Sequence, residues 1–363
     1  MSINTIADKV YSDKRITTDD ALRLFNSNDI FEIGSMASYI AENKNGKSAY
    51  FIHNRHINPT NICVNRCKFC AFSKDKGEKE AYQLTIDEIL QKARSSEKGV
   101  TEFHIVGGLH PDLPFEFYLD MLKMLKKELP DVHIQAFTAV EIDYFSKLSG
   151  LPLKETLSRL KEAGLGSLPG GGAEIFNSNI RNIICEEKIS GKRWLEIMET
   201  AHSIGLRSNA TMLYGHIEGY KDRVDHMNSL RELQDKTGGF QAFIPLPFHP
   251  KNTKIERASF KETTGLDDLK TLAIARIFLD NFAHIKAFWI MLGEKMAQVS
   301  LNFGVDDIDG TVVEEKITHS AGAVTAEELT KDEIINMIKK AGKIPIERDT
   351  LYNVIKEYEY AGV

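Results

Sequence analysis

The sequence has little of several features that mark large classes of proteins. Only four cysteines occur among 363 residues, too few for the disulfide framework of a small secreted domain. Lys and Arg total 46 against 52 Asp and Glu, and the net charge of −6 leaves no basic surplus for nucleic acid. No stretch approaches the roughly 20 apolar residues of a membrane span, and residues 1–15 have no apolar signal core. We therefore expect a protein of the reducing cytoplasm that spans no membrane and binds no nucleic acid.

Three of the four cysteines lie together in the segment PTNICVNRCKFCAF, at Cys63, Cys67 and Cys70. Disulfide pairing needs an even number of partners, and structural zinc sites usually take four ligands. Cys185 lies far along the chain, so its service as a fourth ligand would require a coincidence of the fold. Three clustered thiolates suit a 4Fe-4S cluster with one open iron, while reduced surface cysteines and a partial zinc site are the alternatives.

Short apolar runs alternate with amphipathic helical patterns along the chain, as is typical of α/β proteins. The alternation predicts eight strands, near residues 50–57, 102–106, 133–138, 166–168, 208–214, 241–246, 286–291 and 310–313. It predicts helices at about 116–129, 153–163, 192–204, 221–236, 266–282 and 294–303, and one from the capping-box pair Thr85 and Glu88. Eight strand–helix units without a long linker favour one (β/α)8 TIM-type barrel over a doubly wound sheet.

The chain divides into three parts around this predicted barrel. Residues 1–48 are expected to form a helical N-terminal extension, 49–320 the barrel, and 321–363 a helical extension packed on one barrel end. Thr330 and Glu333 form another capping-box pair at the start of TKDEIINMIKK. In such a barrel the chemistry belongs to the loops at the C-terminal ends of the strands. Because the cysteine segment follows the first strand, we expect the thiols at the barrel mouth.

The spacing Cys-x3-Cys-x2-Cys, with Phe69 before the last cysteine, resembles the signature of radical S-adenosylmethionine enzymes. Four longer segments narrow the resemblance to the aminofutalosine synthases of the futalosine route to menaquinone: NRHINPTNICVNRCKFCAF, LPGGGAEIF, TMLYGHIEG and FGVDDIDGTVVEEKITHSAGA. Two sister families share the cysteine motif, the cyclic dehypoxanthine futalosine synthases and the hydroxyphenyl transferases of deazaflavin-cofactor synthesis. The segments VDDIDGTVVEEKITHSAGA and PIERDTLYN favour the first family.

The resemblance implies a 4Fe-4S cluster on the three clustered cysteines and S-adenosylmethionine as a co-substrate. It assigns Gly107 and Gly108 to the amino group of the methionine moiety, although a tight strand-to-helix turn also explains two glycines. Other candidates around S-adenosylmethionine are Phe69 near adenine, Thr138 and Glu141 near the ribose, Glu174, and Arg181 or Arg193 at the carboxylate. Their structural alternatives are a Phe69 that fills the barrel mouth and arginines in surface ion pairs.

His216 and Glu218 in YGHIEG follow the predicted fifth strand and are the candidate catalytic pair. A histidine can polarise or protonate a carbonyl, and a carboxylate can accept a proton or bind a ribose hydroxyl. Satisfied polar groups of a barrel are the structural alternative for both. Other polar residues that would suit an acidic substrate are Arg55, His56, His104, Arg207 and His319, whereas the run AFWIML is expected in the core.

The reaction implied by the resemblance begins with one electron, from a low-potential donor such as flavodoxin or ferredoxin, that cleaves S-adenosylmethionine to methionine and a 5'-deoxyadenosyl radical. The radical adds to the enol-ether double bond of 3-[(1-carboxyvinyl)oxy]benzoate, an aromatic dicarboxylate. Rearrangement with loss of a carboxyl group gives 6-amino-6-deoxyfutalosine. A homodimer is compatible with the sequence. An iron–sulfur electron carrier is the alternative from another class, but it would not need so long a chain or glycine-rich loops.

Overall fold

The computed structural model describes residues 3–96, 98–256 and 262–359. Its strands are β1 (Ser48–Ile52), β2 (Asn54–Ile57), β3 (Glu102–Ile105), β4 (His133–Ala136), β5 (Ser167–Leu168), β6 (Arg207–Tyr214), β7 (Phe240–Pro247), β8 (His284–Ile285), β9 (Asp307–Gly310), β10 (Ile344–Arg348) and β11 (Val354–Glu357). Its helices are α1 (Ile3–Tyr11), α2 (Thr18–Asn26), α3 (Ile30–Asn45), α4 (Ile86–Arg94), α5 (Phe115–Glu128), α6 (Ala139–Ser149), α7 (Leu153–Ala163), α8 (Ser178–Ile184), α9 (Gly191–Ser203), α10 (Tyr220–Thr237), α11 (Gly265–Phe278), α12 (Trp289–Leu292), α13 (Glu294–Ser300), α14 (Ile317–Ser320) and α15 (Lys331–Lys340).

Strands β2 to β8 form a seven-stranded parallel sheet in chain order, curved as a partial TIM-type barrel. The predicted first strand is divided at His53: β1 pairs with β9 and β10, while β2 pairs with β3. The predicted eighth strand, β9, therefore belongs to a second sheet in the order β11-β10-β1-β9. Isolated parallel bridges from Lys286 to Asp307 and from Arg55 to Val313 link it to both edges of the larger sheet. The barrel-type fold is confirmed, with a seam at its eighth position.

Most predicted helices and strands are present within a few residues of their expected bounds. The strand predicted at 286–291 is wrong, because β8 is short and Trp289 to Leu292 form the helix α12. A short apolar run fits a buried helix as well as a buried strand, and here Trp289 and Ile290 are fully buried in the core. Helices α6 and α8 fall outside the predictions; for α6 the reason is that the predicted strand extends to Thr138, which instead caps the helix.

The N-terminal helices α2 and α3 lie against the barrel helices α10 and α11, with α3 packed on α11 and α2 on α10, and α1 packs on α3. Arg15, between α1 and α2, pairs with Asp235 at 2.6 Å and with Asp280 at 2.8 Å. The C-terminal segment contains α15, capped by Thr330 as predicted, but it also adds β10 and β11, so it is not purely helical. The division at residues 48 and 320 stays a prediction. In the three described ranges no helix is long and apolar enough to cross a membrane.

Candidate active site

A cavity of about 330 Å³ lies at the C-terminal ends of the parallel strands, where a TIM-type barrel carries its chemistry. Its lining comes largely from the segments after β2, β3, β4, β5, β7, β8 and β9. The predicted site residues that line it are Cys63, Cys67, Phe69, Cys70, Gly107, Gly108, Thr138, Glu141 and Glu174. Arg181, Arg193, His216 and Glu218 do not belong to this lining. The fold thus gathers most of the residues expected around the cluster and its co-substrate, but neither of the two arginines nor the candidate catalytic pair.

The loop that carries the three cysteines, residues 62–72, is hydrogen-bonded to neighbouring segments. The amide of Val64 donates to the carbonyl of Leu109 at 3.0 Å, and the amide of Lys68 donates to the carbonyl of Ile184 at 2.8 Å. These bonds attach the cysteine loop to the segment after β3 and to the end of α8. The loop is consequently fixed by the barrel, although it contains no helix or strand.

The cysteine thiols sit in surroundings that fit an iron–sulfur cluster. Burial raises the pKa of Cys63, and it raises the pKa of Cys67 to about 12. Such thiols keep their protons until a metal replaces them. No three His, Cys, Asp or Glu side chains of the described residues converge on one ion position, as a zinc ion would need. The irons of a 4Fe-4S cluster take one thiolate each and do not need that convergence.

The fourth thiol, Cys185, is buried at the end of α8 but does not line the cavity. Burial raises its pKa, and a charge on Cys185 would raise the pKa of Cys67, so the two side chains are near each other. The expectation that Cys185 is not a cluster ligand stays a prediction.

Lys188 is a cavity residue that the sequence did not reveal. Its ammonium donates to the carboxylate of Glu174 and lies 4.9 Å from the centre of the Phe69 ring, a cation–π distance. Burial acts to lower the pKa of Lys188, but its pairing with the Glu174 carboxylate acts to raise it, and the pKa lies above its ordinary value. The sequence CEEKIS reads as a solvated run of charges, and nothing in it indicates burial. In the structure, Lys188 joins the glycine-rich loop to the wall that carries the cysteines.

Gly108 lets the loop after β3 touch the cysteine loop. A Cβ atom at Gly108 would lie 2.2 Å from the carbonyl oxygen of Ile62, closer than any side chain allows. The neighbouring amide of Gly107 donates to Glu141 Oε1 at 3.1 Å. Both glycines line the cavity, so their close packing and the predicted ligand role are compatible.

Thr138 and Glu141 form the capping box of α6. The other carboxylate oxygen of Glu141 accepts from the amide and the hydroxyl of Thr138 at 2.7 and 2.8 Å. Burial raises the pKa of Glu141 to about 7, although these hydrogen bonds favour its charged form. Glu141 therefore links the start of α6 to the backbone of Gly107.

Arg181 is buried, and its guanidinium donates hydrogen bonds to backbone carbonyls. The geometry therefore does not support its predicted role at the carboxylate of S-adenosylmethionine. It donates to Ala173 at 2.6 Å and to Ile175 at 3.2 Å, and it also reaches the carbonyl of Ile189. These contacts hold the loop LPGGGAEIF, in which Glu174 adopts a left-handed backbone with φ of 48°. Arg181 shapes the wall of the cavity from behind.

Arg193 also lies outside the cavity. Its side chain pairs with Asp143 and Glu196, each at 2.8 Å, which is the surface ion-pair alternative.

The candidate catalytic pair is turned to the backbone of its own loop. His216 Nε2 hydrogen-bonds the carbonyl of Leu213 at 3.0 Å, and its Nδ1 accepts from the amide of Ile217 at 2.8 Å. Glu218 has a fully buried side chain that accepts from the guanidinium of Arg223 at 2.9 Å. The structural alternative, satisfied polar groups of a barrel, describes both residues, and the geometry does not support their predicted catalytic roles.

Below the loops, four polar residues lie at the level of the strands: His56 on β2, His104 on β3, Lys286 after β8 and Asp309 on β9. We call this group the polar floor. The rings of His56 and His104 stack with centres 4.4 Å apart, because the two residues are register partners. His56, His104 and Asp309 line the cavity. The sequence suggested the two histidines, but it gave no sign of Lys286 or Asp309 as site residues.

Comparisons with known proteins agree with this site. Residues 57–230 match the Radical SAM superfamily, and residues 237–360 match the CofH/MqnC C-terminal region. The chain is 47% identical to an aminodeoxyfutalosine synthase of Thermus thermophilus over 98% of its length and 96% of the relative's. It is 44% identical to an aminodeoxyfutalosine synthase of Streptomyces coelicolor, covering 97% and 93% of the two chains. A 5-amino-6-(D-ribitylamino)uracil–L-tyrosine 4-hydroxyphenyl transferase of Methanothermobacter thermautotrophicus is 42% identical, with 98% and 100% covered.

Solved structures show the same fold. A methylornithine synthase superposes with a TM-score of 0.74 at 17% identity, covering 94% of this chain and 97% of the other. The FeFe-hydrogenase maturase of Carboxydothermus hydrogenoformans also gives 0.74, at 17% identity, with 96% and 80% covered. The three thiols in the cavity and the similarity to curated relatives over nearly the whole chain point to the same family. The chain belongs to the radical SAM superfamily, and it is a transferase-type enzyme that uses a 4Fe-4S cluster and S-adenosylmethionine.

Proposed function

We propose that this chain is an aminodeoxyfutalosine synthase. Its substrate is then 3-[(1-carboxyvinyl)oxy]benzoate, and its product is 6-amino-6-deoxyfutalosine on the route to menaquinone. The observation that carries the proposal is a cavity of about 330 Å³ with three thiols at its mouth and polar groups at its floor. That volume lies within the range of pockets for small molecules. The 47% and 44% identity to relatives of this name, against 42% to the hydroxyphenyl transferase, supports the choice.

The walls between mouth and floor are apolar, as an aromatic ring and a short-lived radical both require. They are lined by Val106, Val140, Leu213, Ile244, Leu246, Phe248, Phe288, Met291 and Ile317. An aromatic ring gains by leaving water for such a surface. The same walls limit access of water to the reacting atoms and so protect them from side reactions.

When bound, the cluster and S-adenosylmethionine supply the 5'-deoxyadenosyl radical. The chain's own residues hold and orient the reactants. Cys63, Cys67 and Cys70 would hold the cluster, as their spacing predicts. The glycine pair at 107–108 and the Thr138–Glu141 cap contribute backbone and polar groups beside them, and the Glu174–Lys188 pair borders the same wall. Their task is positional, because the alkene rather than a C–H bond must lie near the reactive carbon.

The proposal also includes an electron donor, an oligomeric state and a cellular location. Each cleavage of S-adenosylmethionine consumes one electron, so a low-potential donor such as flavodoxin or ferredoxin is the expected partner. A homodimer and a cytoplasmic location stay predictions from the sequence.

The fate of the adenosyl carbons tests the proposal. Reconstituted enzyme, reductant, adenosine-labelled S-adenosylmethionine and the carboxyvinyl ether are incubated without oxygen, and the nucleosides are separated and weighed by mass spectrometry. Addition to the alkene predicts label in a nucleoside heavier than 5'-deoxyadenosine. Label found stoichiometrically in free 5'-deoxyadenosine, with none in a larger nucleoside, would overturn the proposal.

A parallel incubation with tyrosine and 5-amino-6-(D-ribitylamino)uracil tests the transferase named among the relatives. Turnover there, with none on the carboxyvinyl ether, would assign the chain to that reaction instead. The Cys67→Ala variant is the matched blank, because it retains the substrate walls but lacks one predicted cluster ligand.

A further inference from the structure

The polar floor contains a buried lysine whose ion pair is a long one. The side chain of Lys286 is 7% exposed, and that of Asp309 is 11% exposed. The Lys286 ammonium lies 3.6 Å from the Asp309 carboxylate, which is beyond hydrogen-bonding distance. Burying an ammonium is unfavourable unless anions or hydrogen-bond acceptors compensate it, and a carboxylate at this distance does so only in part. A second anion at the floor would provide that compensation.

The two stacked histidine rings both belong to the cavity lining. Burial lowers the pKa of His104. Burial also lowers the pKa of His56 well below its ordinary value, and positive charge on His104 or Lys286 lowers it further. A neutral imidazole retains one N–H donor. His56 and His104 both line the cavity, so these rings lie on the surface that a ligand would contact. An anion there can accept from imidazole N–H groups beside the Lys286 charge.

Asp309 is held at the floor by a strained backbone. Its φ is 68°, in the left-handed region that non-glycine residues seldom adopt, and Val312 in the same segment has φ of 52°. Hydrogen bonds maintain this conformation: the amide of Asp309 donates to Asp307 at 2.7 Å, and the amide of Val312 donates to Asn54 at 2.9 Å. Strain of this kind persists where the surrounding structure enforces it, and it concentrates at functional sites.

We propose that the polar floor binds the ring carboxylate of the aromatic substrate, with Lys286 supplying the charge and the two histidines the hydrogen bonds. This inference rests on the proposed function. The reactive alkene must lie near the mouth, where the cysteines and the glycine pair are, so the opposite end of the molecule reaches the strand level. The apolar walls then enclose the ring. Because the ring carboxylate is retained in the product, the same anchor holds the molecule through the reaction.

Binding of two unreactive mimics tests the anchor. Reconstituted enzyme with S-adenosylmethionine, but without reductant, is titrated calorimetrically with 3-(carboxymethoxy)benzoate and with phenoxyacetate, which lacks only the ring carboxylate. Charge-assisted hydrogen bonds of this kind are worth about tenfold or more in affinity. Lys286→Met should therefore weaken binding of the dicarboxylate by about tenfold and leave phenoxyacetate within about twofold. His104→Phe, which retains an aromatic ring but no N–H, should act in the same direction.

Lys343→Met is the matched control, because Lys343 is also buried but pairs with Glu42 of α3 at 3.0 Å and is not part of the polar floor. It should change neither affinity. The inference is overturned if Lys286→Met and His104→Phe leave the dicarboxylate affinity unchanged, or if they weaken both mimics equally. It is also overturned, with the proposed function intact, if the wild type turns over the carboxyvinyl ether but does not prefer the dicarboxylate mimic. Absence of any labelled addition product would instead remove the proposed function and this inference with it.

Discussion

Replacing Glu141 by Gln should make the stability of this protein less dependent on pH. The pKa of the buried Glu141 carboxyl is raised from 4.5 to about 7, with burial as the largest cause. A folded state that binds this proton more tightly than the unfolded chain is stabilised while the carboxyl is protonated. That contribution is complete below the unfolded pKa of 4.5 and is lost as the pH rises through about 7.

The expected size follows from the same two values. A rise from 4.5 to about 7, at about 1.4 kcal/mol per pH unit, corresponds to about 3 kcal/mol. The free energy of unfolding of the wild type should thus fall by about 3 kcal/mol relative to Glu141→Gln between about pH 4.5 and about pH 8. Other carboxylates titrate in both proteins and cancel in the difference. Urea unfolding of the iron-free chain under reducing conditions, at several pH values, measures it.

Glu88 offers the matched control, because Thr85 and Glu88 form the same capping box on the exposed start of α4. Hydrogen bonds from Thr85 lower the pKa of Glu88, so its contribution is lost as the pH falls, not as it rises. Glu88→Gln should therefore follow the wild type across the neutral range. A difference between wild type and Glu141→Gln that stays constant with pH would refute the reasoning about burial.

Two further predictions concern other parts of the site. Cys67→Ala should lose the iron and sulfide that the reconstituted wild type retains, whereas Cys185→Ala should keep them; retention by the first and loss by the second would show that the ligand set is wrong. The pKa of His319 is raised to about 9, chiefly by its hydrogen bond to Glu315. The stabilisation that His319 gives over His319→Asn should accordingly be complete below its ordinary pKa of 6.5 and disappear as the pH rises through about 9 in urea titrations. Stabilisation that persists at higher pH would contradict this.

Local sequence patterns predicted those features of the fold and the site that are determined by residues close together in the chain. The spacing of the three cysteines, the cap at Thr85 and the order of strands and helices are such features. Glu141 shows the limit, since the Thr–x–x–Glu pattern was present at 138–141 but followed an apolar run that predicted a continuing strand. The capping interaction that starts α6 decided the local structure instead.

The rest of the site depends on which residues the folded barrel brings together. Lys286 is buried and Lys188 is half-buried beside the cavity, yet a lysine in a sequence predicts an exposed side chain. His216 follows a strand, as expected of a catalytic residue in a barrel, but both its ring nitrogens hydrogen-bond the backbone of its own loop. The stacking of His56 on His104 follows from strand register, which the sequence does not specify residue by residue.

The packing of α3 on α11 sets an order of events during synthesis. Ile33 and Met36 of α3 are fully buried in the finished protein, and α11, the main packing partner of α3, ends at residue 278. At a translation rate of about 5–20 residues per second, roughly 10–50 s pass between the synthesis of α3 and that of α11, and during this time the apolar face of α3 lacks this partner. The cysteine loop leaves the ribosome early in that interval, long before β9 completes the barrel. The nascent chain therefore presents its thiols and an uncovered helix face together, which makes this interval the period of greatest exposure to oxidation and aggregation.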